Sequence, residues 1–121
     1  MDFISRKFHA ALDYFSVLVL LSAPWLLNFS ASLTATAVAV FAGVLILIMS
    51  MMTNYEGGLI RSIPMAIHLK MDVVLGVVLA ASPWMFNFNE VVYLPHLIMG
   101  FLAIFAGIFS TKVSLTKRMA G

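Results

Sequence analysis

Two pairs of residues in this sequence have the types and the spacing for chemistry. His9 and Asp13 lie four positions apart, and so do His68 and Asp72. On a helix that spacing puts both side chains on one face. An imidazole beside a carboxylate can relay a proton, hold a metal ion or clamp two helices together. Each pair also opens a longer pattern. His9, Asp13, Pro24, Trp25, Asn28 and Phe29 recur as His68, Asp72, Pro83, Trp84, Asn87 and Phe88, every residue displaced by 59 positions. Six matched residues in one register describe a duplicated unit.

The elements that carry these residues are apolar. Of the 121 residues 63% are hydrophobic and only 10% charged. Ordinary globular domains hold about 25% charged residues, so this chain has too few to coat a soluble surface. Tyr14 to Tyr55 contains no Asp, Glu, Lys or Arg, a run of 42 residues. A membrane span takes roughly 20 apolar residues, because the hydrocarbon core is about 30 Å thick. The run therefore holds two spans and a turn. The spans are expected near residues 8–27 and 33–52, with turn chemistry at Asn28 to Ser32. Glu56, Gly57, Gly58 and Arg61 mark a solvated linker over 54–64. Pro64 suits the first turn of a third helix, near 65–86. Pro95 opens a fourth, expected to reach about Thr111.

The expected fold class is all-α: a polytopic membrane protein with four transmembrane helices arranged as two parallel helical-hairpin repeats. Residues 1–121 form one membrane domain, with the first hairpin in 1–56 and the second in 61–121. A basic start and Ser22-Ala23 resemble a cleaved signal peptide. The same motif recurs internally, so the first span is expected to be retained. All seven basic residues, Arg6, Lys7, Arg61, Lys70, Lys112, Lys117 and Arg118, fall on one side of this topology. The positive-inside bias then puts both termini and the linker in the cytoplasm. In the second helices, Phe41-Ala42-Gly43 aligns with Phe105-Ala106-Gly107 at an offset of 64, which predicts a second turn longer by five residues. The pairs Ala39/Gly43, Gly76/Ala80 and Ala103/Gly107 are small residues at helical spacing. They are expected to let helices approach within one chain, with self-association as the alternative.

Ser82-Pro83-Trp84 stands in the first helix of a two-helix repeat, and the earlier copy reads Ala23-Pro24-Trp25. In this the chain resembles the SPW repeat family of small bacterial membrane proteins, over nearly its whole length. The resemblance implies a membrane helical hairpin and a prokaryotic source. It carries no catalytic residue, substrate or cofactor onto this chain.

Pro24 and Pro83 each leave a backbone carbonyl without its donor near the outer end of a helix. Ser22 and Ser82 are expected to satisfy the freed groups. Trp25 and Trp84 then lie at the outer lipid–water boundary, and Asn28 and Asn87 close the turns. A ligand site under the tryptophans is the alternative to this interfacial role.

Asp13 is expected roughly 7 Å inside the cytoplasmic boundary, one turn deeper than His9. A carboxylate within a span costs about 2.5–3.5 kcal/mol on insertion scales, so it needs a partner, water or a proton. Parallel repeats place His9, Asp13, His68 and Asp72 at one depth. Three readings follow. In the first, a structural clamp pairs Asp13 with His68 or Lys70, and Asp72 with His9 or Arg6. In the second, the cluster handles protons or a small solute, although only Glu90 and His96 could continue a path outward. In the third, the histidines bind a metal or haem, although Leu12, Met71 and Leu75 crowd the space a porphyrin needs.

The chain has no cysteine, no glycine-rich phosphate loop and no serine elbow. Its net charge of +2 and its scattered basic residues do not suit nucleic acid. We therefore expect a small non-enzymatic integral membrane protein of the bacterial cytoplasmic membrane. It acts as a binding, scaffolding or accessory subunit with a His/Asp cluster on its cytoplasmic side. No cofactor and no metal is assigned. Its partners are the lipid bilayer and either another membrane protein or a second copy of the chain. A proton- or solute-linked transporter and a haem- or quinone-linked redox subunit are the alternatives.

Overall fold

Serine opens both helices of the first hairpin. Ser5 Oγ accepts the Phe8 N–H at 3.1 Å and starts α1, Arg6–Leu26. Ser32 Oγ accepts the Ala35 N–H at 3.3 Å and starts α2, Leu33–Met52. Prolines open the other two. Pro64 precedes α3, Met65–Met85, and Pro95 lies in the first turn of α4, Leu94–Phe109. Helix starts satisfied by side chains or by proline leave few orphan N–H groups at the bundle ends. The computed structural model describes residues 2–116. Lys117 and Arg118, two of the basic residues used for orientation, lie outside them.

The repeated motif ends α1 and α3 by one mechanism. Asn28 and Asn87 take the left-handed conformation, with φ of 60° and 59°. Asparagine tolerates that region better than most residues. The chain then turns back, so that Phe29 N–H donates to Pro24 O at 2.9 Å and Phe88 N–H to Pro83 O at 2.8 Å. This is a Schellman closure, with the following apolar residue folded onto the last helical turn. Both phenylalanines are buried. The freed carbonyls are treated differently in the two copies. Ser82 Oγ donates to Leu79 O at 2.7 Å, the group that Pro83 leaves without a donor. Ser22 instead donates to Leu18 O, because Ala23 stands at the position equivalent to Ser82.

The helices form a ring in which α1 packs chiefly on α2 and α3 on α4, with thinner seams from α2 to α3 and α1 to α4. Helices α1 and α3 therefore face each other across the diagonal. In α3 and α4 the backbones touch: a methyl at Gly100 would lie 2.5 Å from Ala80 N, and one at Gly76 would lie 2.6 Å from Gly100 O. The small residues thus serve packing within one hairpin. Between the diagonals lies an apolar core that includes Val17, Leu20, Ile46 and Leu79, with Ala35, Ala39 and Ala42 lining α2. Leu18, Leu26, Phe41, Val74 and Phe101 stand exposed on the outside, the pattern of a bundle solvated by lipid. Three of the helices are long and apolar enough to cross a membrane, while α4 is apolar but only 16 residues long.

The match between the second helices differs from the one expected. Gly43 abuts Leu21, and Gly100 abuts Ala80, which is Leu21 displaced by 59 positions. Thr53 follows α2 and Ser110 follows α4. Both equivalences give an offset of 57 rather than 64. The second turn is longer by two residues, not five, and α4 starts late, without its first turn. The Phe-Ala-Gly match misled because a slip of seven residues is two helical turns and keeps the same face inward. The fourth helix also stops at Phe109, short of Thr111. Ser110 instead enters an extended bridge with Ile4, and Thr53 forms the same bridge with Ile63. Each bridge ties the end of one hairpin to the start of the other.

Candidate functional site

The packing of α1 against α3 across the bundle brings His9, Asp13, His68 and Asp72 to one point. One ligating atom from each lies within 4.8 Å of the rest, and all four residues are buried. The shortest contacts cross between α1 and α3. His9 Nε2 is 2.8 Å from Asp72 Oδ2, and His68 Nε2 is 3.0 Å from Asp13 Oδ2. Contacts within each helix, His9 to Asp13 and His68 to Asp72, are 3.3 Å. None of these four approaches has the alignment of a hydrogen bond: both Nε2 atoms and Asp72 Oδ2 are sealed from solvent without a hydrogen-bond partner.

The opposite edge of each ring is anchored by a hydroxyl from the other half. His9 Nδ1 lies 2.6 Å from Ser110 Oγ, and His68 Nδ1 lies 2.6 Å from Thr53 Oγ1. Thr53 donates its own proton to Met49 O at 2.7 Å. His68 Nδ1–H must therefore be the donor in its contact with Thr53, which leaves Nε2 to face the carboxylates. Tyr55, fully buried at the start of the linker, donates its phenol to Asp13 Oδ2 at 2.6 Å. Burial and the neighbouring Asp13 charge push the Tyr55 phenol above its ordinary range, so it stays a donor.

The linker closes over this end. Tyr55 packs with Ala10, Met65 and Leu69, and Tyr14 donates to Gly57 O at 2.7 Å. Arg6 pairs with Glu56 at 3.3 Å rather than with Asp72. Lys70 is exposed beside Leu45, Met49 and Met71 on the outer face, away from Asp13. Neither basic residue completes the clamp in the way expected. A cavity of about 20 Å³ lies under the carboxylates, between Asp13, Asp72, Ser16 and Leu20.

The outer ends hold the rest of the motif. Pro24 and Pro83 are buried, whereas Trp25 and Trp84 are 60% and 48% exposed and point away from the bundle interior. Asn28 and Asn87 are exposed in their turns. The two tryptophans do not enclose a common pocket, and Trp84 rests on Tyr93 with ring centroids 5.7 Å apart. His96 is buried. Its Nε2–H donates to Ala35 O at 3.0 Å, and the repeated Phe29 and Phe88 flank its ring at 5.4 and 4.8 Å.

Sequence reasoning did not single out Thr53, Ser110 or Tyr55. Thr53 and Ser110 were hidden by the slipped register, since they match only at the 57-residue offset. Tyr55 closes the uncharged run, a position that could have drawn notice.

Fold and site together define a small helical-hairpin membrane protein with an ionisable cluster sealed into one end of the bundle. An SPW repeat domain model matches residues 7–110. The chain belongs to the SPW repeat family. Comparison with curated proteins and with solved structures finds no match.

Proposed function

We propose that the chain is a multi-pass tandem-repeat protein of the bacterial cytoplasmic membrane, with its termini and linker on the cytoplasmic side. It works there as a small non-enzymatic binding or accessory subunit. The observation that carries this reading is the closure of the His/Asp cluster. The linker covers it on the basic, cytoplasmic side. The apolar layer of Val17, Leu20, Ile46 and Leu79 separates it from His96 at the other end. A transporter needs a polar path across the bundle, and that layer interrupts one. Haem is also disfavoured by space: the rings of His9 and His68 stand edge to face with centroids 5.2 Å apart, with carboxylates between them. The reading is tested in proteoliposomes. The wild-type chain should carry no proton flux above that of the lipid alone. Flux that vanishes in Asp13→Asn would overturn the binding role in favour of a carrier.

A further inference from the structure

Two carboxylates and two imidazole Nε2 atoms buried at one point need positive charge between them. His68 presents Nε2 to the carboxylates because Nδ1–H is committed to Thr53. His9 presents Nε2 to the same carboxylates, with its Nδ1 2.6 Å from Ser110 Oγ. A neutral imidazole held in this way aims its Nε2 lone pair at the cluster centre, as metal-ligating histidines do. Both Nε2 atoms and Asp72 Oδ2 lack any aligned partner there. Either protons or a single dication would satisfy all four groups.

Several features favour the dication. Neighbouring ligands in a tetrahedral site with bonds near 2.0–2.1 Å stand about 3.3 Å apart. The imidazole–carboxylate separations here are 2.8, 3.0, 3.3 and 3.3 Å when both oxygens of Asp13 are counted, and with one atom taken from each residue the four lie within 4.8 Å of one another, so an ion is accommodated by side-chain shifts of up to about 1 Å. Two carboxylates cancel the charge of one divalent ion, which suits a site inside a bilayer. The outer contacts are also in place: hydroxyls behind both imidazoles and the Tyr55 phenol on Asp13. The cavity of about 20 Å³ beside Asp13 and Asp72 has room for one water as a further ligand. Two imidazoles and two carboxylates, without thiolate, select a borderline first-row ion over copper(I) or calcium.

We propose that His9, Asp13, His68 and Asp72 form a site for one divalent first-row transition ion of the zinc type, bound through Nε2 of each histidine and one oxygen of each aspartate. This revises the expectation that no metal is held. It rests on the binding role proposed above and names the ligand for it.

The test uses the full chain, purified in detergent, stripped with a chelator and titrated with Co²⁺. One equivalent should bind and give the visible absorption of a low-coordinate cobalt site, and Zn²⁺ should bleach it stoichiometrically. Zn²⁺ should also raise the unfolding temperature, because it binds the folded chain. His68→Gln and Asp72→Asn should abolish the absorption. Thr53→Val keeps all four ligands and should weaken binding about 10- to 100-fold. Absence of cobalt absorption in the wild-type chain overturns the proposal whether or not any variant folds. So does absorption that persists in both ligand variants, since the ion would then sit elsewhere. Either result leaves the proteoliposome outcome untouched, so failure of the metal site is distinguishable from failure of the binding role.

Discussion

Removing His68 tests whether α1 and α3 are joined through the cluster. In His68→Ala, Asp13 Oδ2 loses the imidazole at 3.0 Å and keeps the Tyr55 phenol, while Thr53 loses its ring partner. Breaking a buried pair from one side costs about 3–5 kcal/mol in soluble interiors. Couplings between side chains inside membranes average about 0.6 kcal/mol and reach about 1.7. The 3.0 Å contact is among the closest in the cluster, so a coupling of about 1 kcal/mol is expected between His68 and Asp13. The cavity left by the ring is common to His68→Ala and to the double variant, so it cancels in a double-mutant cycle. The cycle pairs His68→Ala with Asp13→Asn in chelator-stripped, detergent-solubilised protein and follows unfolding. Asp13→Asn should recover part of the loss caused by His68→Ala. Additivity within about 0.3 kcal/mol would refute the crossed contact. The His9–Asp13 contact at 3.3 Å is the comparison, and a larger coupling there would place the pairing within one helix.

The other predictions concern the turns, the helix contacts, the linker and topology. Asn87→Val should lower stability by about 1–2 kcal/mol in the same unfolding assay, because φ is 59° there, whereas Asn87→Gly should be close to neutral. Gly100→Ala should cost about 1–3 kcal/mol through the close approach to Ala80, and an unchanged midpoint would refute that packing. Tyr55→Phe should cost about 1–3 kcal/mol by leaving Asp13 Oδ2 short of a donor. Because the folded-state phenol is shifted upward, Tyr55 contributes stability below about pH 10 that is lost as pH rises further and the unfolded chain ionises. A pH titration of wild type against Tyr55→Phe reads that difference. Reporter fusions after Gly57 and after the last residue should report the same side and a fusion within 87–93 the opposite one; disagreement between the first two sinks the four-span topology.

Local and periodic information is what the sequence by itself determined. The uncharged run and the turn residues located α2 at Leu33–Met52 without error and the starts and ends of α1 and α3 to within two residues. These features depend on neighbours along the chain: span length, caps and the left-handed preference of Asn28 and Asn87. The repeated His and Asp residues were also legible, because α1 and α3 preserve one offset. Tertiary structure decided the rest. The register of α4 was ambiguous because a shift of two helical turns preserves its buried face. The hydroxyls of Thr53 and Ser110 became visible as partners only once each hairpin was bridged to the start of the other. Arg6 and Lys70 were equally good partners for a carboxylate by charge alone. Glu56 captured the first, and the second was left on the outer face. Two imidazoles and two carboxylates share one centre because α1 and α3 face each other across the bundle, and distance between side chains that are 59 positions apart is a property of packing, not of spacing along the chain.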